Sequence, residues 1–240
     1  MAPKRRRAPT DLIDIANGKT DEQFIADYLQ SDWITTWTHP KTSETYTLSL
    51  IQPSKLSDTD LQACFDLIAE TSKHDYENSA GKWKPAHKLK EMKSPELRYI
   101  LVKDFAGKTV RGFTSLMPTY EDGQPVIYCY EIHLKPELQG SGLGRLLMGM
   151  LVKVAERVPP VKKVMLTCFL ANERGVRFYQ GLGFEKDEIS PVERRLRGNK
   201  VVKVDYVIMS REVERRNEEE KEEEQKEEEG KIEEEANGIA

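Results

Sequence analysis

Apolar and polar positions alternate with a changing period along the chain, and the period predicts which segments are helices and which are strands. In the first hundred residues, Leu61, Phe65 and Ile68 share one face of a helix, and Pro85 suits the first position of another. A strict alternation farther upstream is typical of a strand with one buried face. These patterns predict helices over 21–30, 58–72 and 85–92 and a strand over 45–51.

The second half of the chain predicts a sheet that begins with hairpins. Three alternating segments follow one another, and their connections carry Gly107 and Asp122-Gly123, which favour tight antiparallel turns. A long amphipathic segment then ends at Pro159-Pro160, because proline stops a helix. The predicted strands cover 98–103, 110–117, 126–134, 163–169 and 201–210, and the predicted helices cover 142–158 and 172–180. This order predicts an α/β fold with a mixed sheet and helices on both faces, whereas a doubly wound parallel sheet would need longer connections.

Charge divides the chain into a body and two polar ends. Residues 212–235 hold fourteen Glu against five Lys or Arg, whereas the whole chain has a net charge of only −4. We expect a disordered basic arm over 1–20, one domain over 21–211 and an acidic tail over 212–240 that is disordered or partly helical. The tail is either a solvated terminus or a contact for basic proteins. The basic run over 4–7 is either a nuclear address or a plain arm.

Cysteine and histidine usage argues against extracellular and metal-based chemistry. The three cysteines are scattered in apolar segments, as reduced core thiols of cytosolic or nuclear proteins are, with a thiol nucleophile at Cys168 as the alternative. The four histidines lack the spacing of metal ligands, so we expect no metal. The chain contains no apolar run of 18 residues, and its basic start leads into no apolar stretch. We therefore expect neither a membrane span nor a secretory signal.

A glycine-rich segment, Gln139-Gly140-Ser141-Gly142-Leu143-Gly144, lies between a predicted strand and a predicted helix. Glycine lets the backbone approach a ligand closely, and the free N–H groups at a helix N-terminus suit a pyrophosphate. Arg145 adds positive charge beside the loop. The segment lacks the Gly-Lys-Ser/Thr ending of a P-loop and the glycine spacing of a dinucleotide-binding turn. It therefore indicates either another phosphate-bearing ligand or a plain structural turn.

The segments after the loop carry a family resemblance. Gln139-x-x-Gly142-x-Gly144, a following strand, Asn172, Phe178-Tyr179 and Gly183-Phe184 together resemble the GNAT superfamily of acetyltransferases. The resemblance implies a central, mostly antiparallel sheet whose strands over 126–134 and 163–169 splay apart around acetyl-CoA. It also implies that Tyr179 protonates the leaving thiolate, with core packing before the Gly-Phe turn as the alternative role. The implied cofactor contacts are Ile132, His133, Leu134, Gln139, Gly140, Ser141, Gly142, Leu143, Gly144, Arg145 and Asn172.

A narrower resemblance covers about residues 60–211. Tyr128-Cys129-Tyr130-Glu131, the glycine-rich segment and Lys163-Val164-Met165-Leu166-Thr167 are similar to the NatD family of N-alpha-acetyltransferases. That family acts on the free N-termini of histone four and histone two-A, which begin Ser-Gly-Arg-Gly. The resemblance implies histone tails as substrates, either at the ribosome or free of nucleosomes, and a monomer with no direct nucleic-acid or membrane contact in cytoplasm and nucleus. The chain departs from the family pattern at Ala80-Gly81-Lys82-Trp83, where only one expected Trp remains, and at Thr119, where an acidic residue is expected.

Acetyl transfer to an amine needs a neutral amine, a polarised carbonyl and a proton for the leaving thiolate. An α-amine with a pKa of about 7.7–8 is roughly one tenth to one sixth neutral at pH 7, whereas a lysine amine is about 0.04 % neutral. A modest base or a water relay therefore suffices for an α-amine. Glu131 is the first candidate, because a carboxylate inside an apolar strand needs either a function or an ion pair. On an ideal strand Glu131 shares a face with Cys129 and His133, opposite Tyr128 and Tyr130.

Aromatic and acidic residues complete the predicted site. Tyr130 and Tyr206 are the alternatives to Glu131 for relaying the proton. Glu121 and Asp122 offer carboxylates to a substrate arginine, or they are solvated charges of a hairpin turn. The residues expected to contact the peptide are Tyr76, Trp83, Glu121, Glu131 and Tyr206. The alternative functions are a lysine or small-molecule acetyltransferase and a non-catalytic module that binds acyl-CoA or histones.

Overall fold

The computed structural model describes residues 11–195, 201–202 and 204–214. Its strands are β1 (Thr36–Thr38), β2 (Thr45–Ile51), β3 (Arg98–Asp104), β4 (Val110–Glu121), β5 (Gln124–Leu134), β6 (Lys163–Phe169), β7 (Glu185–Lys186), β8 (Arg194–Arg195), β9 (Val201–Val202) and β10 (Tyr206–Glu212). Eight of them form one mixed sheet in the order β1-β2-β3-β4-β5-β6-β10-β7, and β8 pairs with β9 separately. Neighbouring strands of the sheet are antiparallel except β5 and β6, which run parallel.

Helices cover both faces of the sheet and bury two apolar cores. They are α1 (Leu12–Gly18), α2 (Asp21–Tyr28), α3 (Asp58–Asn78), α4 (Pro85–Glu91), α5 (Leu143–Arg157) and α6 (Glu173–Gln180). Side chains alternate across a strand, so Ile100 and Val102 of β3 pack into one core with α1, α2 and α5. Tyr99 and Leu101 of the same strand pack into the other core with α3. The fold class predicted from the sequence is confirmed.

The predicted hairpin between β4 and β5 forms, and its strands are longer than the apolar pattern indicated. Asp122 and Gly123 have φ angles of 47° and 75°, as a tight two-residue turn between antiparallel strands requires. Pairing continues up to the turn, where Glu121 lies opposite Gln124. The predicted strand ended earlier because polar side chains near the turn hide a backbone that is still paired.

The predicted disordered arm over 1–20 is wrong for residues 11–20, which contain α1 and Thr20, the N-cap of α2. Asp11 caps α1 by accepting a hydrogen bond from the Ile13 N–H at 2.8 Å. Ile13 and Ala16 are buried against the sheet. The cap and the two apolar positions span too few residues to produce a helical period. The apolar pattern therefore does not predict this helix. Residues 1–10 of the predicted arm lie outside the described residues.

Arg98 of β3 fixes this N-terminal segment to the sheet. The side chain is fully buried, and its guanidinium pairs with Asp21 at 3.0 Å. It also lies 4.1 Å above the Phe24 ring. Three carbonyl groups at the end of α1 accept hydrogen bonds from it: those of Ala16, Asn17 and Lys19. A cation from the middle of the chain thus satisfies the free carbonyls of a helix end.

The last predicted strand, over 201–210, is divided in the structure. The separate ribbon contains 201–202, residue 203 lies outside the described residues, and β10 begins at Tyr206. Pairing extends past the predicted domain boundary at 211, because Glu212 lies opposite Lys163 and the Val213 N–H donates to the Lys162 carbonyl. The tail from 215 onward lies outside the described residues. A search of the helices over the described residues finds none with the length and hydropathy of a membrane span.

Candidate functional site

A bulge in β5 decides where the side chains of the site point. Two consecutive residues of β4 lie opposite Glu131 and Cys129, which leaves Tyr130 as an extra residue in β5. The prediction that Cys129 shares a face with Glu131 and His133 is therefore wrong. The Cys129 thiol contacts Met148 of α5 at 3.9 Å, whereas Glu131 and His133 face α3 and α4. Tyr130, predicted to point away from Glu131, packs against the same core as the α3 side chains.

Beyond this bulge β5 and β6 separate. The two strands pair only where 126–129 lie beside 163–166. From Tyr130 to Leu134, the β6 side of β5 has no strand partner among the described residues. The backbone from 132 to 134 therefore offers a strand edge to which an extended ligand can hydrogen-bond, apart from the Leu134 carbonyl, which accepts a hydrogen bond from Gln139. This gap is the splay that the family resemblance implied.

The glycine-rich loop follows β5 and begins α5. Gly140 and Gly142 have φ angles of 70° and 93°, a left-handed conformation that favours glycine. A Cβ on either glycine would meet no atom within 4 Å, so the space in front of the loop is open. In the described part of the protein, no acceptor is bonded to the N–H groups of Gly140, Ser141, Gly142, Gly144 and Arg145. Open amides at the positive end of a helix fit a pyrophosphate.

Other predicted loop contacts hold the loop itself. The Gln139 amide donates to the Leu134 carbonyl at 3.0 Å and accepts from Arg174 at 3.0 Å, so its side chain ties β5 to α6. The Ser141 hydroxyl donates to the Leu138 carbonyl at 2.5 Å. Both side chains therefore support the loop by hydrogen bonds to neighbouring protein groups.

The remaining predicted loop contacts differ in exposure. Leu143 is buried in the core, so only its backbone borders the loop surface. Arg145 is exposed, and no ion pair engages it among the described residues. A Cβ on Gly144 would lie 3.3 Å from the Phe178 ring, so the absence of a side chain here lets α5 and α6 pack closely.

Asn172 and Tyr179 lie at the two ends of α6. Asn172 caps the helix, since its side-chain oxygen accepts from the Gly175 N–H at 2.8 Å. The Tyr179 ring packs on Phe184 with centroids 6.0 Å apart. Its hydroxyl has no hydrogen-bond partner within the described residues. Burial raises the pKa of Tyr179 well above 10, and the negative charge of Glu131 adds to the shift. The phenol therefore stays protonated and can donate a proton.

Glu131 is the centre of a buried polar network between β5 and the α3–α4 side. The Lys88 ammonium donates to Glu131 Oε1 at 2.8 Å, and His133 Nε2 lies 2.5 Å from Oε2. Lys88 also pairs with Glu91 at 2.6 Å. On the far side, the Thr71 hydroxyl lies 2.6 Å from His133 Nδ1. One partner on each oxygen thus fixes the orientation of the carboxylate.

These partners keep the Glu131 carboxylate charged. Burial alone raises the pKa of Glu131, but the hydrogen bonds and charges of His133 and Lys88 outweigh burial and hold that pKa below its ordinary value. Each carboxylate oxygen has two acceptor positions, so the network leaves room for a further donor. The arrangement is therefore both an ion pair and a fixed acceptor, close to the point where β5 leaves β6.

Acidic residues surround Tyr130 at the hairpin end of the site. Glu121 is partly buried and has no ion-pair partner among the described residues, and burial raises its pKa. Burial also raises the pKa of Tyr130, and the negative charges of Glu121, Glu91 and Glu96 add to that effect. Asp122, in contrast, is exposed in the hairpin turn. Glu121 therefore lies within electrostatic reach of Tyr128 and Tyr130, whereas Asp122 lies in the exposed turn.

Aromatic side chains form a wall from α3 to β6. Tyr76 packs edge-on against Phe169 of β6 with centroids 4.9 Å apart, and Trp83 lies 5.3 Å from Tyr76. The Lys88 ammonium lies 5.3 Å from the centre of the Tyr76 ring, next to the Glu131 network. Tyr206 is 37% exposed at the start of β10, and its hydroxyl has no hydrogen-bond partner in the described part of the chain. Tyr76 and Trp83 therefore lie together, and Tyr206 lies opposite Phe169 of β6.

Lys88 and Thr71 are part of the network but were absent from the predicted site. Both lie on amphipathic helices, where a polar residue is ordinarily a solvated one. Lys88 is only 8% exposed, and its partner Glu131 is 43 residues away in the chain. No local spacing indicates that contact. The demand of a buried carboxylate for a cation was the one available signal.

Comparisons with known proteins agree with this geometry. The pattern of the Acetyltransferase (GNAT) family matches residues 61–184, just over half of the chain. N-alpha-acetyltransferase 40 of Saccharomyces cerevisiae (strain ATCC 204508 / S288c) is 34% identical over 154 residues, which cover 55% of this chain and 53% of that protein. The chain thus spans about half the length of this curated relative.

Two crystal structures share the fold at low sequence identity. A protein from Streptococcus mutans UA159 has a TM-score of 0.51 at 19% identity, over 70% of this chain and 99% of that one. An acetyltransferase of the GNAT family from Staphylococcus aureus Mu50 has a TM-score of 0.51 at 11% identity, over 70% of this chain and 100% of that one. The parted strands, the open glycine loop and the family match lead to one conclusion: the chain belongs to the acetyltransferase (GNAT) family.

Proposed function

We propose that this acetyltransferase transfers an acetyl group from acetyl-CoA to the α-amine at the N-terminus of a polypeptide. The observation that carries the proposal is the gap between β5 and β6, which has the open amides of the glycine loop at one end and Glu131 with Tyr179 farther in. The likeness to a relative named N-alpha-acetyltransferase 40 supports an α-amine as the acceptor. A binding module would have no need of a fixed carboxylate and a protonated phenol beside the same gap.

The residues present fit acetyl-CoA. The free N–H groups of 140–142, 144 and 145 suit its pyrophosphate, with the Arg145 side chain exposed beside them. The open edge of β5 at 132–134 suits its amide-bearing arm. When bound, acetyl-CoA supplies an acyl carbon to the attacking amine and departs as a thiolate.

Two side chains serve the proton transfers in this proposal. Glu131 accepts a hydrogen bond from the substrate amine and takes up the proton that the nitrogen loses. Lys88 and His133 keep the carboxylate charged and oriented until it takes up that proton. Tyr179 donates its phenolic proton to the departing sulfur, a role for which its raised pKa keeps it ready. Tyr130 and Tyr206 are the alternatives for relaying the amine proton.

We further propose N-termini that begin Ser-Gly-Arg-Gly, as those of histone four and histone two-A do, as the substrates. Glu121 supports this choice, because a partly desolvated carboxylate without a partner can pair with a guanidinium. Tyr76 and Trp83 form an aromatic wall suited to the first residues of a peptide. We propose further that the enzyme is a monomer and that it acts on free histones in the cytoplasm and the nucleus.

The test is acetyl transfer to two peptides that begin Ser-Gly-Arg-Gly-Lys, one with a free α-amine and one with that amine blocked. Thiol release gives the rate, and mass spectrometry locates the acetyl group. We expect transfer to the free peptide alone. Equal transfer to both would mean that lysine is the acceptor, and acetyl-CoA binding without transfer to any amine would indicate a binding module. A third peptide with Ala in place of Arg tests Glu121, and an unchanged KM would remove that residue from recognition.

A further inference from the structure

Asp205 joins three segments that are distant in sequence. Its side-chain Oδ2 accepts a hydrogen bond from the Ala80 N–H at 2.6 Å. Its carbonyl accepts one from the Leu170 N–H at 2.9 Å. Asp205 therefore ties the loop over 79–84, which follows α3, to the end of β6 and the start of β10.

Two other hydrogen bonds of the 79–84 loop are made to α3, the helix that precedes it. The Ser79 hydroxyl donates to the Tyr76 carbonyl at 2.8 Å, and the Lys82 ammonium donates to the Glu77 carbonyl at 2.9 Å. Lys82 has a φ angle of 55°, an uncommon conformation for a residue with a side chain. Such strain persists where surrounding contacts impose it. The bond to Asp205 is the contact that pulls this loop toward the β6–β10 side.

The hydrogen bond between Ala80 and Asp205 crosses the gap beside the proposed acceptor site. α3 packs on β4 and β5, on one side of the gap, whereas Asp205 belongs to the side formed by β6 and β10. Tyr76 makes the same crossing by its contact with Phe169. Tyr76 also lies next to the Glu131 network, since Lys88 contacts both. The gap is therefore closed on the side of the 79–84 loop, immediately beyond Glu131.

A site closed on one side distinguishes two kinds of amine. An internal lysine arrives with main chain running in both directions and needs two exits from the site. A polypeptide N-terminus has main chain on one side only and needs a single exit. We propose that Asp205 is a specificity-determining residue, which holds the 79–84 loop closed and thereby restricts the acceptor to chain ends. This inference rests on the proposed α-amine acetylation.

The experiment compares three variants of the full chain with the two peptides described above. Asp205→Ala removes the acceptor for the Ala80 N–H, whereas Asp205→Asn keeps an oxygen that accepts it. Asp104→Ala is the matched control, because the Asp104 carboxylate also accepts a backbone N–H, that of Lys108 at 2.9 Å, in the hairpin between β3 and β4. The readouts are kcat/KM for each peptide and hydrogen exchange of the Ala80 amide.

We expect Asp205→Ala to raise the ratio of lysine to α-amine acetylation about tenfold or more. Loss of a hydrogen bond to a charged group shifts the equilibrium between the closed and the open loop by about that factor. Asp205→Asn and Asp104→Ala should keep the ratio of the unchanged protein. The Ala80 amide should exchange slowly in the unchanged protein and quickly in Asp205→Ala. An unchanged ratio in Asp205→Ala, or a fast-exchanging Ala80 amide in the unchanged protein, would overturn the inference. Failure of the proposed function looks different, because the unchanged protein would then not acetylate the free peptide.

Discussion

Replacing Glu131 by Gln tests the proposed chemistry with the smallest change of shape. The substitution removes the charge and turns one oxygen into an N–H donor. In the structure, Lys88 binds one carboxylate oxygen at 2.8 Å and His133 lies 2.5 Å from the other. An amide oxygen can serve only one of these two partners. The variant therefore loses both a proton acceptor and half of the contacts that orient the side chain.

The structure sets the size of the expected effects. Loss of a positioned general base typically lowers a rate by about 10²–10⁴-fold, and we expect Glu131→Gln to lower kcat at pH 7 by roughly 10²-fold or more. Removing one partner of a buried ion pair costs about 3–5 kcal/mol in the free energy of unfolding. Lys88 keeps Glu91 at 2.6 Å, so we expect a smaller cost, about 1–3 kcal/mol. The variant should therefore fold and bind acetyl-CoA.

The assay is kcat for the free Ser-Gly-Arg-Gly-Lys peptide between pH 6.5 and 9.5. If Glu131 takes the amine proton, the deficit of Glu131→Gln should narrow above about pH 8, where most α-amine is already neutral. If Glu131 only orients the amine, the deficit should stay constant. Glu91→Gln is the matched control, because it removes the same charge from the other partner of Lys88. Unchanged turnover of Glu131→Gln at every pH would refute a catalytic role for this residue.

Three further substitutions, one of them with a matched control, test other parts of the site and fold. Tyr179→Phe should lower kcat by about 10²-fold with little change in peptide KM, since it removes a proton donor; unchanged kcat would exclude that role. Gly142→Ala should raise the KM for acetyl-CoA, because a φ angle of 93° strains alanine in the loop. Gly149→Ala, in the middle of α5, should leave that KM unchanged. Arg98→Met should lower the free energy of unfolding by about 3–5 kcal/mol, because it leaves Asp21 and three carbonyl groups without the buried cation. Urea titrations measure this loss, and a loss below about 1 kcal/mol would contradict the role of Arg98 as an anchor.

Elements with a strong local pattern were predictable from the sequence. The strand over Lys163–Phe169 has the predicted bounds, and α5, which is Leu143–Arg157, differs from the predicted helix by one residue at each end. Periodic burial and residues that stop a helix act within a few positions of the chain, so a single sequence carries both signals. The glycine-rich loop was equally visible, because its conformation depends on the glycines themselves.

Features that depend on distant residues were not predictable. α1 is ordered because Arg98, about 80 residues downstream, satisfies its carbonyl groups. The carboxylate of Glu131 is balanced by Lys88, on a helix that has the same pattern as a solvated one. No periodicity within either segment encodes these pairings. The positions of Arg98 and Lys88 therefore follow only from the assembled fold.

The bulge at Tyr130 links the fold to the chemistry. If Tyr130 were paired as an ordinary strand residue, Glu131 would point with Cys129 toward α5. Among the described residues, the polar atoms near that thiol include the Thr114 hydroxyl and the Met148 sulfur and no cation. An unpaired carboxylate there would cost several kcal/mol, or it would take up a proton and lose its charge. The bulge instead turns Glu131 toward Lys88, and β5 leaves β6 at the same residue. One irregularity in β5 thus accounts for both the open edge of the gap and the charged carboxylate beside it.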